Sequence, residues 1–188
     1  MDTAFLTGQL LIAMPGIGDS RFERSLILIC AHDARHAMGI AVNRPVEGLT
    51  VPDLLERLEI DSGGPVEPDL VLLGGPVEVE RGFVVHTDDY SAEHSLGVDG
   101  GLAVTTTREI LEAMGRPDRQ PRRARLALGY AGWGAGQLER EIRENVWLTV
   151  EADEALVFDD DHATKWLRAL GKLGVDPTFL TAETSGQA

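Results

Sequence analysis

Short apolar runs broken by glycine, proline and acidic clusters recur along the whole chain, and the longest, residues 26–31, has only six members. Runs of this length, rich in β-branched residues and bounded by turn signals, read as strands. Residues 6–13 predict a first strand, stopped by Pro15-Gly16. The run "RSLILICAH" is apolar without alternation, as in a strand covered on both faces, and "AMGIAVNRP" predicts its partner, ended by Pro45. Only Asp33 to His36 separates the two, which suits a four-residue hairpin loop. Closing the hairpin there sets His32 opposite Ala37, Cys30 opposite Gly39, Leu28 opposite Ala41, and Leu26 opposite Val42 or Asn43.

Beyond the hairpin the period changes. Thr50 reads as an N-cap with Pro52 in the first turn and Leu54, Leu55 and Leu58 as the buried stripe of a short helix. Residues 61–69 form a loop, strands follow near 71–73 and 82–86, and a looser polar segment runs through Ser95 to the strand "GLAVTT". Thr107 is placed to cap a helix with Ile110, Leu111 and Met114 inward. "ARLALGYA" alternates into "GYAGWGAGQLEREI", where Gly132-Trp133-Gly134 predicts a sharp turn into a helix over 135–145. That helix carries Leu138, Ile142 and Val146 on one side and the pairs Glu139–Arg143 and Arg140–Glu144 on the other. "WLTVEA" and "ALVF" predict strands, and "DHATKWLRALGKLG" a last helix capped by Asp160 or Asp161. "GGPVE" at Gly63 and Gly74 reads as two turns. Hairpins mixed with scattered helices, with no linker-like stretch, predict one α+β domain over residues 1–176 and a small, polar, frayed tail over 177–188.

Composition narrows the function. Seventeen basic against 31 acidic residues give a net charge of −14, the wrong sign for general nucleic-acid binding by phosphate neutralisation. Five arginines cluster between Arg116 and Arg125, a run read as a solvated loop. No run approaches the ~20 apolar residues of a membrane span, and the acidic start lacks the basic flank of a secretory signal. One cysteine forms no internal disulfide and fits a reducing, cytoplasmic setting.

Four motifs, "LLIAMPGIGDSRFERSLILICAH", "AMGIAVNRP", "LLGGPVEVERGFVVH" and "GYAGWGAGQLEREIRENVWL", occur in an order that resembles the AlgH/YqgE family of bacterial proteins over residues 8–166. Ser20, Ala31 and Ala135 stand where the family pattern favours proline, glutamate and proline. The resemblance implies a compact α+β domain around a strongly bent, partly barrel-like sheet. It implies little chemistry: one member's name is tied to regulation of alginate synthesis, but the implied fold and the acidic charge are unlike those of a DNA-binding repressor.

The glycine motif lacks the third glycine of a dinucleotide fingerprint and the G-K-[ST] of a P-loop. It serves either tight helix packing or anion binding at the helix start, with Gln137 contributing. The hairpin register brings Arg24 and Ser25 beside Asn43 and Arg44, near Glu23. This group is either an internal network tying loop backbone or an arginine clamp for a carboxylate or phosphate. Cys30 and His32, two apart on one strand, are expected on the same face, yet a cysteine within an apolar run reads as core. Asp159 to His162 read as helix-capping acids rather than a metal cluster, and His36 and His86 have no ligand spacing. No nucleophile elbow occurs.

The sequence therefore points away from an enzyme. It favours a cytoplasmic binding or regulatory protein acting on a protein partner or a small anionic metabolite, with no cofactor and no membrane partner. The candidate site is Arg24, Ser25, Asn43, Arg44, Gly132, Trp133, Gly134 and Gln137. The alternative is an enzyme of unrecognised type acting on a phosphate- or carboxylate-bearing substrate, with a transcriptional regulator third. Oligomeric state is not readable at this level.

Overall fold

The computed structural model of the chain describes residues 5–106 and 108–178. Among them lie strands β1 (Gln9–Ala13), β2 (Leu26–His32), β3 (His36–Ala41), β4 (Pro45–Thr50), β5 (Leu70–Leu73), β6 (Val77–Thr87), β7 (Leu96–Val98), β8 (Leu102–Thr105), β9 (Ala124–Gly134) and β10 (Trp147–Glu151). The helices are α1 (Val51–Arg57), α2 (Arg108–Ala113), α3 (Gln137–Arg143), α4 (Glu154–Phe158) and α5 (Lys165–Lys172), with a 3-10 turn at His162–Thr164. The strand order is β10-β1-β2-β3-β9-β6-β8-β7, every neighbouring pair antiparallel; β4 pairs with β5, and β5 runs parallel to β9. β7 comes round against β2, so the mixed sheet is a strongly curled half-barrel in an α+β fold.

Both faces of the sheet are covered, as the uninterrupted apolar pattern of β2 requires. Leu26, Leu28 and Cys30 face a concave core filled by Trp166, Ala169 and Leu170 of α5 and by Leu156 and Phe158 of α4. Ile27 and Ile29 face the opposite way, into a cluster with Trp133, Trp147 and Leu138 of α3. A third cluster sets Val51 and Leu55 of α1 and Ile110 of α2 on Val71, Val84 and Leu126.

The hairpin closes at Asp33–His36, whose Asp33 Oδ1 accepts from the Arg35 and His36 amides, and His32 lies opposite Ala37. Beyond that pair the register departs from expectation. A β-bulge makes Cys30 an extra residue: Ala31 pairs with Met38, Ile29 with Gly39, and Leu28 with Ile40 rather than Ala41. One inserted residue flips side chains relative to the ladder. Cys30 thus faces the concave core while His32 turns to the α3 side, and the two do not share a face.

Thr50 and Asp53 form a reciprocal capping box at α1, but Leu58 is 48% exposed and outside its stripe. Pro45 ends no sheet pairing; it opens β4. "ALVF" is helical, because the Asp153 side chain accepts from the Leu156 amide (2.9 Å) and all of Leu156, Val157 and Phe158 find cover. Asp161 stands at the N-cap position of the 3-10 turn that leads into α5 but makes no side-chain cap bond, and Thr164 takes the N-cap position of α5 itself. Asp159 instead pairs with Arg168 (2.8 Å), and Asp160 with Arg125, which is 7% exposed and not part of a solvated loop. The Thr107 cap and residues 179–188 of the tail lie outside the described residues, whereas Thr178 donates from its amide to Asp176 (2.8 Å).

Lys165, at the start of α5, is fully buried and donates to the carbonyls of Val42 (3.0 Å) and Val157 (3.1 Å). Burial, aided by nearby Arg125, lowers its pKa to about 7. The unfolded amine holds its proton up to the ordinary lysine range, so the unfolded state binds more protons from about pH 7 upward and folding stability rises with pH across that window. The unfolding midpoint measured from about pH 7 to about pH 8, below the range in which a cysteine of the unfolded chain ionises, should therefore climb, and the slope should shrink in Lys165→Met.

Candidate functional site

The open end of the β2–β3 ribbon brings "FERS" and "NRP" together, since the Val42 amide donates to the Leu26 carbonyl (2.9 Å). Asn43 is the tie between them. Its Oδ1 accepts from the Leu26 amide (2.9 Å) and its Nδ2 donates to the Arg24 carbonyl (2.9 Å). Arg24 has φ +55°, a left-handed conformation that a non-glycine residue adopts at a cost. Holding its carbonyl fixes that turn immediately before β2. Ser25 is fully buried, and its carbonyl accepts from the Ala13 amide (3.0 Å), which joins the same node to β1.

Arg44 completes the group. Its Nη1 donates to Ser25 Oγ (3.3 Å) and to the Arg21 carbonyl, while among the described residues Nε and Nη2 have no partner. The node opens on a cavity of about 280 Å³ whose apolar lining is Phe22, Ala41, Leu73, Pro76 and Val79. Arg21 and Arg44 are its ionisable lining, and no acid lines it. Arg21 is engaged by Asp19 (2.8 Å), whose carboxyl is held below its ordinary pKa by that side-chain bond.

Ser25, Asn43 and Arg44 are thus brought together, but the Arg24 guanidinium leaves them. Its Cζ lies 5.1 Å from the centroid of the Trp166 ring, on a separate cavity of about 670 Å³ beside Met14, Pro15 and Leu167. The two arginines do not converge on one space.

The glycine motif behaves differently from a turn. β9 continues through it, pairing Gly132 with Met38, Trp133 with Ala37 and Gly134 with His36. The bend comes at Gly136, the N-cap of α3, where φ +71° suits glycine. Gln137 is engaged at both ends of its amide: Oε1 accepts from the Gly134 amide (2.9 Å) and Nε2 donates to Glu141 (2.9 Å). Glu141 also accepts from the indoles of Trp133 (3.3 Å) and Trp147 (3.0 Å), so one carboxylate ties α3 to two strands.

Other groups of interest to chemistry are also engaged. The Cys30 thiol is buried, and desolvation lifts its pKa to about 12, which makes it a poor nucleophile. His32 Nδ1 accepts from the Leu6 amide (2.9 Å), leaving its Nε2–H for Glu139. Burial opposes the Glu139 charge, but its own backbone amide and His32 outweigh that and keep its pKa below the ordinary value. Glu139 was expected on the outer face with Arg143, and the sequence offers no signal for a contact to a residue 107 positions away. His86 is buried between the Thr87 carbonyl (2.7 Å) and Thr105 Oγ1 (2.7 Å), its pKa lowered by desolvation. The sequence reading likewise missed the buried cations Arg125 and Lys165, which looked like ordinary charges in a loop and a helix.

A curled α+β half-barrel with a polar node at one ribbon end defines the class of protein; among the described residues no three or more His, Cys, Asp or Glu are grouped so as to hold a metal ion. The AlgH-like family profile matches residues 10–178, and the chain belongs to that family. It is 59% identical over 188 residues to a UPF0301 protein of Caulobacter vibrioides, covering 100% of this chain and 96% of the relative. A UPF0301 protein of Rhodospirillum rubrum is 49% identical over 184 residues, 98% of this chain and 95% of the relative. The solution structure of the AlgH protein from Pseudomonas aeruginosa is similar, with a TM-score of 0.75 at 36% identity over 97% of both chains. A Corynebacterium diphtheriae crystal structure shares the fold at 18% identity and a TM-score of 0.75, over 96% of this chain and 94% of that one.

The node yields a stability prediction. Asn43→Ala leaves the Leu26 amide and the Arg24 carbonyl without their partners, and the stability lost should be about 1–3 kcal/mol. Urea unfolding at neutral pH measures it as a lower midpoint with an unchanged slope.

Proposed function

We propose that this AlgH-like protein is a non-enzymatic binding protein whose ligand is a small carboxylate with a short apolar end, held at the Ser25–Asn43–Arg44 node. The observation that carries the reading is Arg44: in a chain of net charge −14, its guanidinium makes no ion pair among the described residues, is reached only at longer range by the Asp19 carboxylate that Arg21 already holds, and stands on a cavity that no acid lines. Nη1 is fixed by Ser25 and the Arg21 carbonyl, so the free edge of the planar fork is oriented before any ligand arrives. The apolar lining suits a short hydrocarbon end and gives little to a bare phosphate. A cytoplasmic setting belongs to the same proposal; no described helix is long and apolar enough to cross a membrane.

Thermal unfolding in the presence of acetate, butyrate, pyruvate and inorganic phosphate tests it. A ligand at about 100 times its Kd adds roughly 2.7 kcal/mol to stability. The expected result is a rise with butyrate or pyruvate that Arg44→Ala abolishes and Arg44→Lys only weakens. A rise that persists in Arg44→Ala, or none with any of the four, overturns the reading.

A further inference from the structure

A second cavity, of about 550 Å³, opens at the edge of the concave core between β3, β6, β8 and β9. Its chemistry differs from that of the node. Phe83, only 2% exposed, lies under Arg81, whose Cζ is 5.2 Å from the ring centroid. Tyr130 meets Phe83 edge to face, with centroids 5.7 Å apart and planes at 70°. Met38 adds a polarizable wall, and His36 and His94 stand at the rim.

Two further observations bear on what would bind there. First, no Asp or Glu lines this cavity, although acids outnumber basic residues 31 to 17 in the chain. Two carboxylates that do not line it pair with its basic residues: Asp33 is 3.2 Å from His36 and Glu78 is 3.4 Å from Arg81. Both pairs are about half exposed, where an ion pair contributes little and releases its arginine at small cost. Second, the Tyr130 hydroxyl has no hydrogen-bond partner among the described residues and is not one of the buried, unpaired polar atoms, so it is open to solvent and available to donate to a ligand.

We propose that this cavity binds a planar aromatic acid. Its ring lies against Tyr130 and Met38, with the buried Phe83 backing Tyr130, and its carboxylate accepts from the Arg81 guanidinium and the Tyr130 hydroxyl. The volume accommodates a one- or two-ring compound. Aromatic edges and faces favour a flat π-system over an aliphatic ring of equal size. The absence of lining acids spares the ligand the like-charge repulsion that most of this protein's surface would present. The site uses none of the residues of the Arg44 node and stands independently of the function proposed there.

Isothermal titration of the full chain with 2-naphthoate tests the proposal, with cyclohexanecarboxylate, 2-naphthalenemethanol and acetate separating ring from charge. The expected order is 2-naphthoate tightest, with each control at least about tenfold weaker. Arg81→Gln, a substitution at an exposed position, should weaken 2-naphthoate by about tenfold or more, because it removes a hydrogen bond to a charged group. Tyr130→Phe keeps the packing on Phe83 and should weaken it severalfold. Arg44→Ala should leave 2-naphthoate binding unchanged. No binding at millimolar concentration, binding of cyclohexanecarboxylate as tight as that of 2-naphthoate, or affinity unaltered by Arg81→Gln would overturn the assignment.

Discussion

Strand β9 has to satisfy its backbone on two edges at once while it passes from one half of the curled sheet into the other. Ala127 is flanked by Leu72 of β5 and Phe83 of β6, and four residues further on Ala131 pairs with Gly39 of β3. The β5–β6 connection lies so close to this strand that a Cβ on Gly75 would come within 2.1 Å of the Tyr130 carbonyl carbon. Only glycine permits that approach. From the one strand, Arg125 is delivered to Asp69, Tyr130 to the concave cavity, and Trp133 to Glu141 under α3.

The distribution of charge follows from what is buried. Arg125 is taken out of water and is held by Asp69 (2.7 Å), Asp160 and the Phe158 carbonyl. A buried cation without such partners would be strongly destabilising, so these acids are committed to the interior arrangement. Others cap helices, as Asp53 and Asp153 do. In a chain with so many acids, two cavities lined by arginine and by no carboxylate are the places where an anion meets least repulsion.

Much of the fold was legible because its signals are local. The hairpin loop at Asp33–His36, the N-cap at Thr50 and the buried double face of β2 each depend on a few adjacent residues. The meeting of Arg24–Ser25 with Asn43–Arg44 was legible for the same reason, since it follows from where the hairpin closes. The direction of the Arg24 side chain was not, because it is set by Trp166, a partner 142 positions away in the chain. "ALVF" misled because a short apolar run carries no period of its own, and the Asp153 cap together with burial on several sides decided for helix.

By itself, the sequence determined the α+β class, the strand-rich first third, the family and the net charge, all of which rest on local patterning or on summed composition. Tertiary structure alone decided which charges are buried, which side of β2 Cys30 and His32 occupy, and which basic groups share a cavity free of acids. Those outcomes turn on one bulged residue at Cys30, the path of β9 and contacts across more than a hundred residues. A bulge flips a side chain without leaving a mark in composition, and desolvation depends on what the rest of the chain folds over a residue, so neither could be read position by position.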